Sequence, residues 1–182
     1  MTRRDHTNTD SREARRAAIA PDVVDQLRKR DDSGREPRAL TDEGGNPLRC
    51  CLRRSAPGEA LLLASYAPLR RWAMETGADP GAYEELGPVF IHANPCQEPS
   101  PGYPVAMGGD RRVFRTYRAD GTILGGQFVE ARQSADPVAA TALLDVLFDD
   151  PEVALVHVRA VEFGCFIFEA RRPQPLGPQR LS

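Results

Sequence analysis

Hydrophobic and polar residues alternate along several short stretches of the chain, which is the pattern of β-strands. Residues 48–53 alternate strictly, and a Pro57-Gly58 turn leads from them to an apolar run at residues 60–66. These two runs predict a hairpin, and Asp120-Gly121 predicts the turn of a second one. The remaining predicted strands are residues 38–40, 88–93, 113–117, 123–129, 153–161 and 165–171.

Three segments follow a helical pattern instead. The first two are residues 21–30 and 68–75, and each begins with proline, which suits the first position of a helix. The second helix is expected to bury Trp72. Asp136 is placed to cap the third and longest helix. The predicted core stripe of this helix is Val138, Ala142, Val146 and Leu147.

The order of these elements predicts an α+β fold, because strands follow one another directly and repeated βαβ alternation is missing. We expect a single domain over residues 19–172, built on a mainly antiparallel sheet of about six to eight strands with two or three helices. Residues 1–18 are expected to form a flexible N-terminal tail, and residues 173–182 a loose C-terminal tail.

Composition narrows the functional class. The 26 acidic and 24 basic residues give a net charge of −2, which argues against a nucleic-acid partner. Lys29 is the only lysine, so arginine supplies the other basic residues, and its guanidinium binds carboxylate or phosphate through two parallel hydrogen bonds. No apolar run approaches the roughly 18 residues that cross a membrane. We therefore expect a cytoplasmic bacterial protein without a membrane partner, while the oligomeric state stays open.

The sequence contains none of the standard catalytic signatures. A phosphate-binding loop, a dinucleotide-binding glycine motif, H-E-x-x-H, G-x-S-x-G and C-x-x-C are all missing from it. Whether the protein is an enzyme is therefore left open at this point.

Several short motifs follow one another in a fixed order. They are Leu48-Arg-Cys-Cys-Leu52, Pro57-Gly-Glu59, Ser65-Tyr-Ala-Pro68, Gly87-Pro-Val-Phe-Ile-His-Ala93 closing on Cys96, and Val156-His-Val-Arg159 with Gly164-Cys-Phe166. In this set the chain resembles the bacterial family called domain of unknown function 1203, over roughly residues 19–172. The family's label names no activity, so the resemblance implies membership and no mechanism.

A candidate ligand-binding site lies on the predicted strand at residues 153–161. His157 and Arg159 are two positions apart, so they project side by side from one face. Arg159 would bind the carboxylate or phosphate of a small anionic ligand, with His157 and His92 as further ligand-binding residues. The alternative is structural, with Arg159 exposed to water or paired with an acidic residue; the acidic candidates are Glu130, Glu162 and Glu169.

The cysteines and histidines allow two further interpretations. The alternative to both is that these residues are simply packed in the core. No cofactor is favoured. Zinc would bind if two or three of the candidates converged. Bound zinc would contribute about 10 kcal/mol to the stability of the fold. Those candidates are Cys51, His92, Cys96, His157 and Cys165. Alternatively, Cys51 or Cys96 acts as a nucleophile with His92 or His157 as its base.

Two hypotheses about function follow from these residues. In the first, Arg159 and His157 form the floor of a pocket that Cys51, His92 and Cys96 line and that residues 94–110 cover. In the second, the protein is a non-enzymatic interaction or structural module. The observation that separates them is whether the five side chains face one concave pocket.

Overall fold

The computed structural model describes residues 15–108 and 110–172. Residues 1–14 of the predicted N-terminal tail (residues 1–18) and the whole predicted C-terminal tail (residues 173–182) lie outside this part of the chain. The described helices are α1 (Pro21–Leu27), α2 (Pro68–Thr76), α3 (Ala131–Ala135) and α4 (Pro137–Asp149), with a 3-10 helix at Val105–Met107. The described strands are β1 (Arg15–Ala17), β2 (Arg38–Thr41), β3 (Pro47–Leu48), β4 (Arg53–Arg54), β5 (Ala60–Tyr66), β6 (Gly87–His92), β7 (Arg112–Tyr117), β8 (Ile123–Val129), β9 (Leu155–Ala160) and β10 (Phe166–Arg171).

These strands form two sheets of five strands each. The first sheet has the order β1-β10-β9-β7-β8 and is antiparallel throughout. The second has the order β2-β5-β6-β3-β4, with one parallel contact between β3 and β6. The predicted α+β class is confirmed. The strands are divided between two sheets rather than gathered in one, and β1 belongs to a stretch for which the sequence predicts a tail.

The predicted strand at residues 48–53 is wrong. β3 and β4 occupy only its ends, and residues 49–52 between them form a turn. β5 accordingly pairs with β2 and β6, and not with this stretch as the hairpin prediction required. The alternation of polar and apolar residues is misleading at this point. All four turn residues are buried, so the polar ones do not mark an exposed face.

The predicted core stripe of the longest helix is also wrong, although Asp136 caps α4 as expected by accepting from Val138 and Ala139. Val138 and Val146 are exposed, whereas Ala140, Leu144 and Phe148 are buried. These three residues are spaced by four and pack on the first sheet with Phe114, Val158 and Phe168. The sequence of α4 has apolar residues on more than one side of the helix, so periodicity alone does not select the buried face. The opposite face of the same sheet meets α2, where Trp72 is buried against Tyr117 and Leu155 as expected.

None of the helices in the described residues has the length and apolar character needed to span a membrane.

Candidate metal and thiol site

The turn at residues 49–52 presents two adjacent cysteines. The Leu52 amide donates to the Leu48 carbonyl over 3.0 Å, and Leu52 adopts a left-handed φ of 53°. In a helical turn successive side chains are separated by about 100°, whereas in a strand they point to opposite faces. The turn therefore allows Cys50 and Cys51 to face the same neighbour, His92.

His92 is the last residue of β6, and its ring lies against both thiols. Its Nδ1 atom is 3.3 Å from the sulfur of Cys50 and 3.8 Å from the sulfur of Cys51. The backbone amide of His92 also donates to the Cys50 sulfur over 3.3 Å. Cys96, four residues further along the chain, completes the group. The candidate ligand atoms of the four residues all lie within 4.8 Å of one another. We call these residues the Cys3His cluster.

The other ring nitrogen of His92 faces an ion pair. Arg53 donates to both carboxylate oxygens of Glu59 over 2.5 and 3.0 Å, and it also lies 2.9 Å from His92 Nε2. Because a guanidinium has only donors, Nε2 must accept here, and the ring proton is therefore on Nδ1, facing the sulfurs. The Glu59 carboxylate is 3.6 Å from the same Nε2 atom.

The three thiols of the cluster differ in acidity. A hydrogen bond from the Cys50 thiol lowers the pKa of Cys51 to about 6, aided by the backbone amide and the charge of Arg53, although burial opposes the shift. The same hydrogen bond, together with burial, raises the pKa of Cys50. Burial also raises the pKa of Cys96. Cys51 is therefore the thiolate of the group at neutral pH.

A groove of about 940 Å³ opens beside the cluster. Cys51, His92 and Cys96 line it, together with the Arg53–Glu59 ion pair, much of the irregular segment at residues 94–104 and the start of the 3-10 helix that follows. Ligand sites commonly have volumes of about 300–1,000 Å³. The cluster is thus reachable from solvent through a space that admits a small molecule.

The structure separates the five predicted pocket residues. Cys51, His92 and Cys96 line the groove, but His157 and Arg159 are not among the described residues that line it. His157 is fully buried between the rings of Tyr117 and Phe166, at centroid distances of 4.7 and 5.2 Å. Burial lowers its pKa well below the usual range, so the ring is neutral at pH 7. The five side chains therefore do not face one pocket.

Arg159 binds an acidic residue that the sequence did not indicate. Its guanidinium donates to Glu85 over 2.5 Å and to the Gly164 carbonyl over 2.7 and 3.0 Å. Glu85, which also accepts from Arg115, replaces Glu130, Glu162 and Glu169 as the expected partner. Glu85 lies in the irregular segment before β6, and only the folding of the chain brings this segment close to Arg159. Cys165 lies apart from the cluster, with its sulfur 3.5 Å from the Phe163 carbonyl.

The sequence interpretation missed Cys50 and Glu59. The alternation at residues 48–53 predicts that Cys50 shares an apolar strand face with Leu48 and Leu52, but residues 49–52 form a turn; the pair of adjacent cysteines is the signal that the sequence offers. Glu59 belongs to one of the family-like motifs, yet no spacing rule connects it with His92, which is 33 positions away.

The fold and the site define an α+β protein of two mostly antiparallel sheets with a cluster of three cysteines and a histidine at an open groove. The model of the family described as "Protein of unknown function (DUF1203)" matches residues 45–172, so the chain belongs to this family. The matched range contains the whole cluster and confirms the resemblance noted above. No curated protein and no solved structure gives a significant match.

The acidity of Cys51 predicts how the metal-free protein reacts with iodoacetamide. The alkylation rate of Cys51 should be half its plateau near pH 6 and should fall at lower pH, because the thiolate is the reactive form. Mass spectrometry of digests, made after timed alkylation at each pH, measures this rate. The control is the chain in denaturant, where the midpoint should move to about 8.5. A folded-state midpoint above pH 8 would contradict the predicted thiolate.

Proposed function

We propose that this protein binds one zinc ion at Cys50, Cys51, His92 and Cys96. The observation behind the proposal is the convergence of four ligand atoms to within 4.8 Å of one another. Three thiolates and one imidazole form a standard tetrahedral zinc set, and soft thiolate ligands favour zinc over magnesium or calcium.

The distances in the cluster support this geometry. Zinc bonds of about 2.3 Å to sulfur and about 2.0 Å to nitrogen place tetrahedral sulfur and nitrogen ligands roughly 3.5 Å apart. The two measured distances from His92 Nδ1 to the cysteine sulfurs, 3.3 and 3.8 Å, lie on either side of that value. Zinc binding then requires the thiol protons to leave and the ring proton of His92 to be on Nε2, and because the thiols lose protons, affinity should fall as the pH falls.

Glu59 is placed to support His92 as a ligand. Histidine ligands usually donate their second ring N–H to a carboxylate, a backbone carbonyl or water, which fixes the orientation of the ring. When zinc replaces the proton on Nδ1, the proton of the neutral ring is on Nε2, which is 3.6 Å from Glu59. A small shift of the Arg53 guanidinium would leave Glu59 as the acceptor.

Zinc binding is tested on protein freed of metal under a thiol reductant and then titrated with zinc. We expect one zinc per chain by native mass spectrometry. We also expect a higher melting temperature, since a ligand at 100 times its Kd stabilises a fold by about 2.7 kcal/mol. EDTA should reverse the effect. Cys50→Ser and His92→Ala should weaken zinc binding, and Cys165→Ser, a cysteine outside the cluster, should not. No retained zinc together with an unchanged melting curve would refute the proposal.

The role of Glu59 has its own test. Glu59→Ala should weaken zinc binding by about 10- to 100-fold, measured by competition with a chromophoric chelator. Glu59→Gln keeps an acceptor oxygen and should lose less. Glu98→Ala is the matched control, because Glu98 is an exposed carboxylate that lines the same groove. Equal losses for the Glu59→Ala and Glu98→Ala variants would show that charge in the groove, and not the contact with His92, sets the affinity.

A cysteine-dependent reaction is the second candidate function. It is favoured by the lowered pKa of Cys51 and by the position of this thiol on the groove. Metal content separates the two candidates, because bound zinc would shield the Cys51 thiolate from alkylation. Binding of a small anionic ligand through Arg159, His157 and His92 remains a prediction, as does a purely structural or interaction role.

A further inference from the structure

The four cluster residues differ in burial and in the kind of element that carries them. Cys50 and Cys51 are buried in a turn that is hydrogen-bonded at both ends, and His92 is buried at the end of β6. Cys96 is exposed, and the described residues 93–104 around it form no helix or strand. Three ligands therefore belong to rigid elements of the fold, whereas the fourth belongs to an irregular segment.

Cys96 also borders two concave spaces. It lines the groove of about 940 Å³ together with Cys51 and His92. It also lines a smaller hollow of about 150 Å³, together with Cys50 and Arg28. If the Cys96 side chain turns into the hollow, the space it leaves opens directly from the cluster to the groove.

We propose that Cys96 is an exchangeable zinc ligand, and that a thiol-containing small molecule entering through the groove takes its place on the ion. This inference rests on the proposed zinc site. In the exchange, the bond between zinc and the Cys96 sulfur breaks and a bond between zinc and the incoming sulfur forms. The proton of the incoming thiol passes to Cys96, so the step needs no oxidant or reductant.

Charge and softness favour a thiol over water or a carboxylate as the incoming ligand. A thiolate replaces a thiolate, so the net charge of the buried site does not change, whereas neutral water would raise it by one unit. The neighbouring Arg53 is already neutralised by Glu59, so it provides no unpaired charge to attract a carboxylate. Thiolate sulfur is also a soft ligand of the kind that selects zinc, whereas carboxylate and water suit harder cations.

The first experiment treats the zinc-loaded wild-type protein with iodoacetamide. We expect one carboxamidomethyl group on Cys96, no modification of Cys50 or Cys51, and retention of zinc by native mass spectrometry. If zinc is retained but Cys96 is not modified, the exchange is refuted while the zinc site stands. Loss of zinc upon modification of Cys96 also refutes it, since the ion then depends on all four ligands. Absence of zinc before treatment refutes the zinc site itself.

The second experiment uses cobalt in place of zinc and reduced glutathione as the probe. In Cys96→Ala, the thiolate-to-cobalt absorption should fall by about one third, from three thiolates to two, and should return when glutathione is added. Cys50→Ala should lose as much absorption without recovery, because Cys50 faces the hollow of about 150 Å³, not the groove. Recovery in both variants or in neither would overturn the inference.

Discussion

The buried side chain of Arg49 joins the two sheets where the Cys3His cluster begins. Its Nε atom donates to the Phe166 carbonyl on β10 over 2.8 Å, and its NH1 atom donates to the Pro47 carbonyl on β3. Burial lowers the pKa of Arg49 to about 10, which still leaves the guanidinium charged at neutral pH. A buried charge without acceptors is costly, so these two carbonyls stabilise the Arg49 side chain between the sheets at the start of the turn at residues 49–52. The positions of Cys50 and Cys51 follow from that turn.

The sequence predicts the longer elements of the fold well, because their signals are local. β5 and β8 have the predicted bounds, and α2 differs from its prediction by one residue. Strands of two or three residues such as β3 and β4 show no usable alternation, and their pairing comes from tertiary contacts. α3 was missed because its sequence is polar, although the capping box of Glu130 and Gln133 marks its start.

The candidate site was predicted only in part. Cys51, His92 and Cys96 were identified by chemical type, and the structure brings them together. Cys50 was missed because the predicted strand at residues 48–53 places it on an apolar face, whereas residues 49–52 form a turn. His157 and Arg159 were grouped with the cysteines because strand alternation shows that two side chains share a face, but not what lies opposite. In the fold that face meets buried aromatic rings and Glu85.

In the proposed zinc site, one turn, one strand end and one loop residue supply a single tetrahedral ligand set. X-ray absorption at the zinc edge of the loaded protein reports the atoms bonded to the ion. We expect three sulfur neighbours at about 2.3 Å and one nitrogen at about 2.0–2.1 Å. A shell of oxygen and nitrogen alone, with no sulfur, would rule out this ligand set.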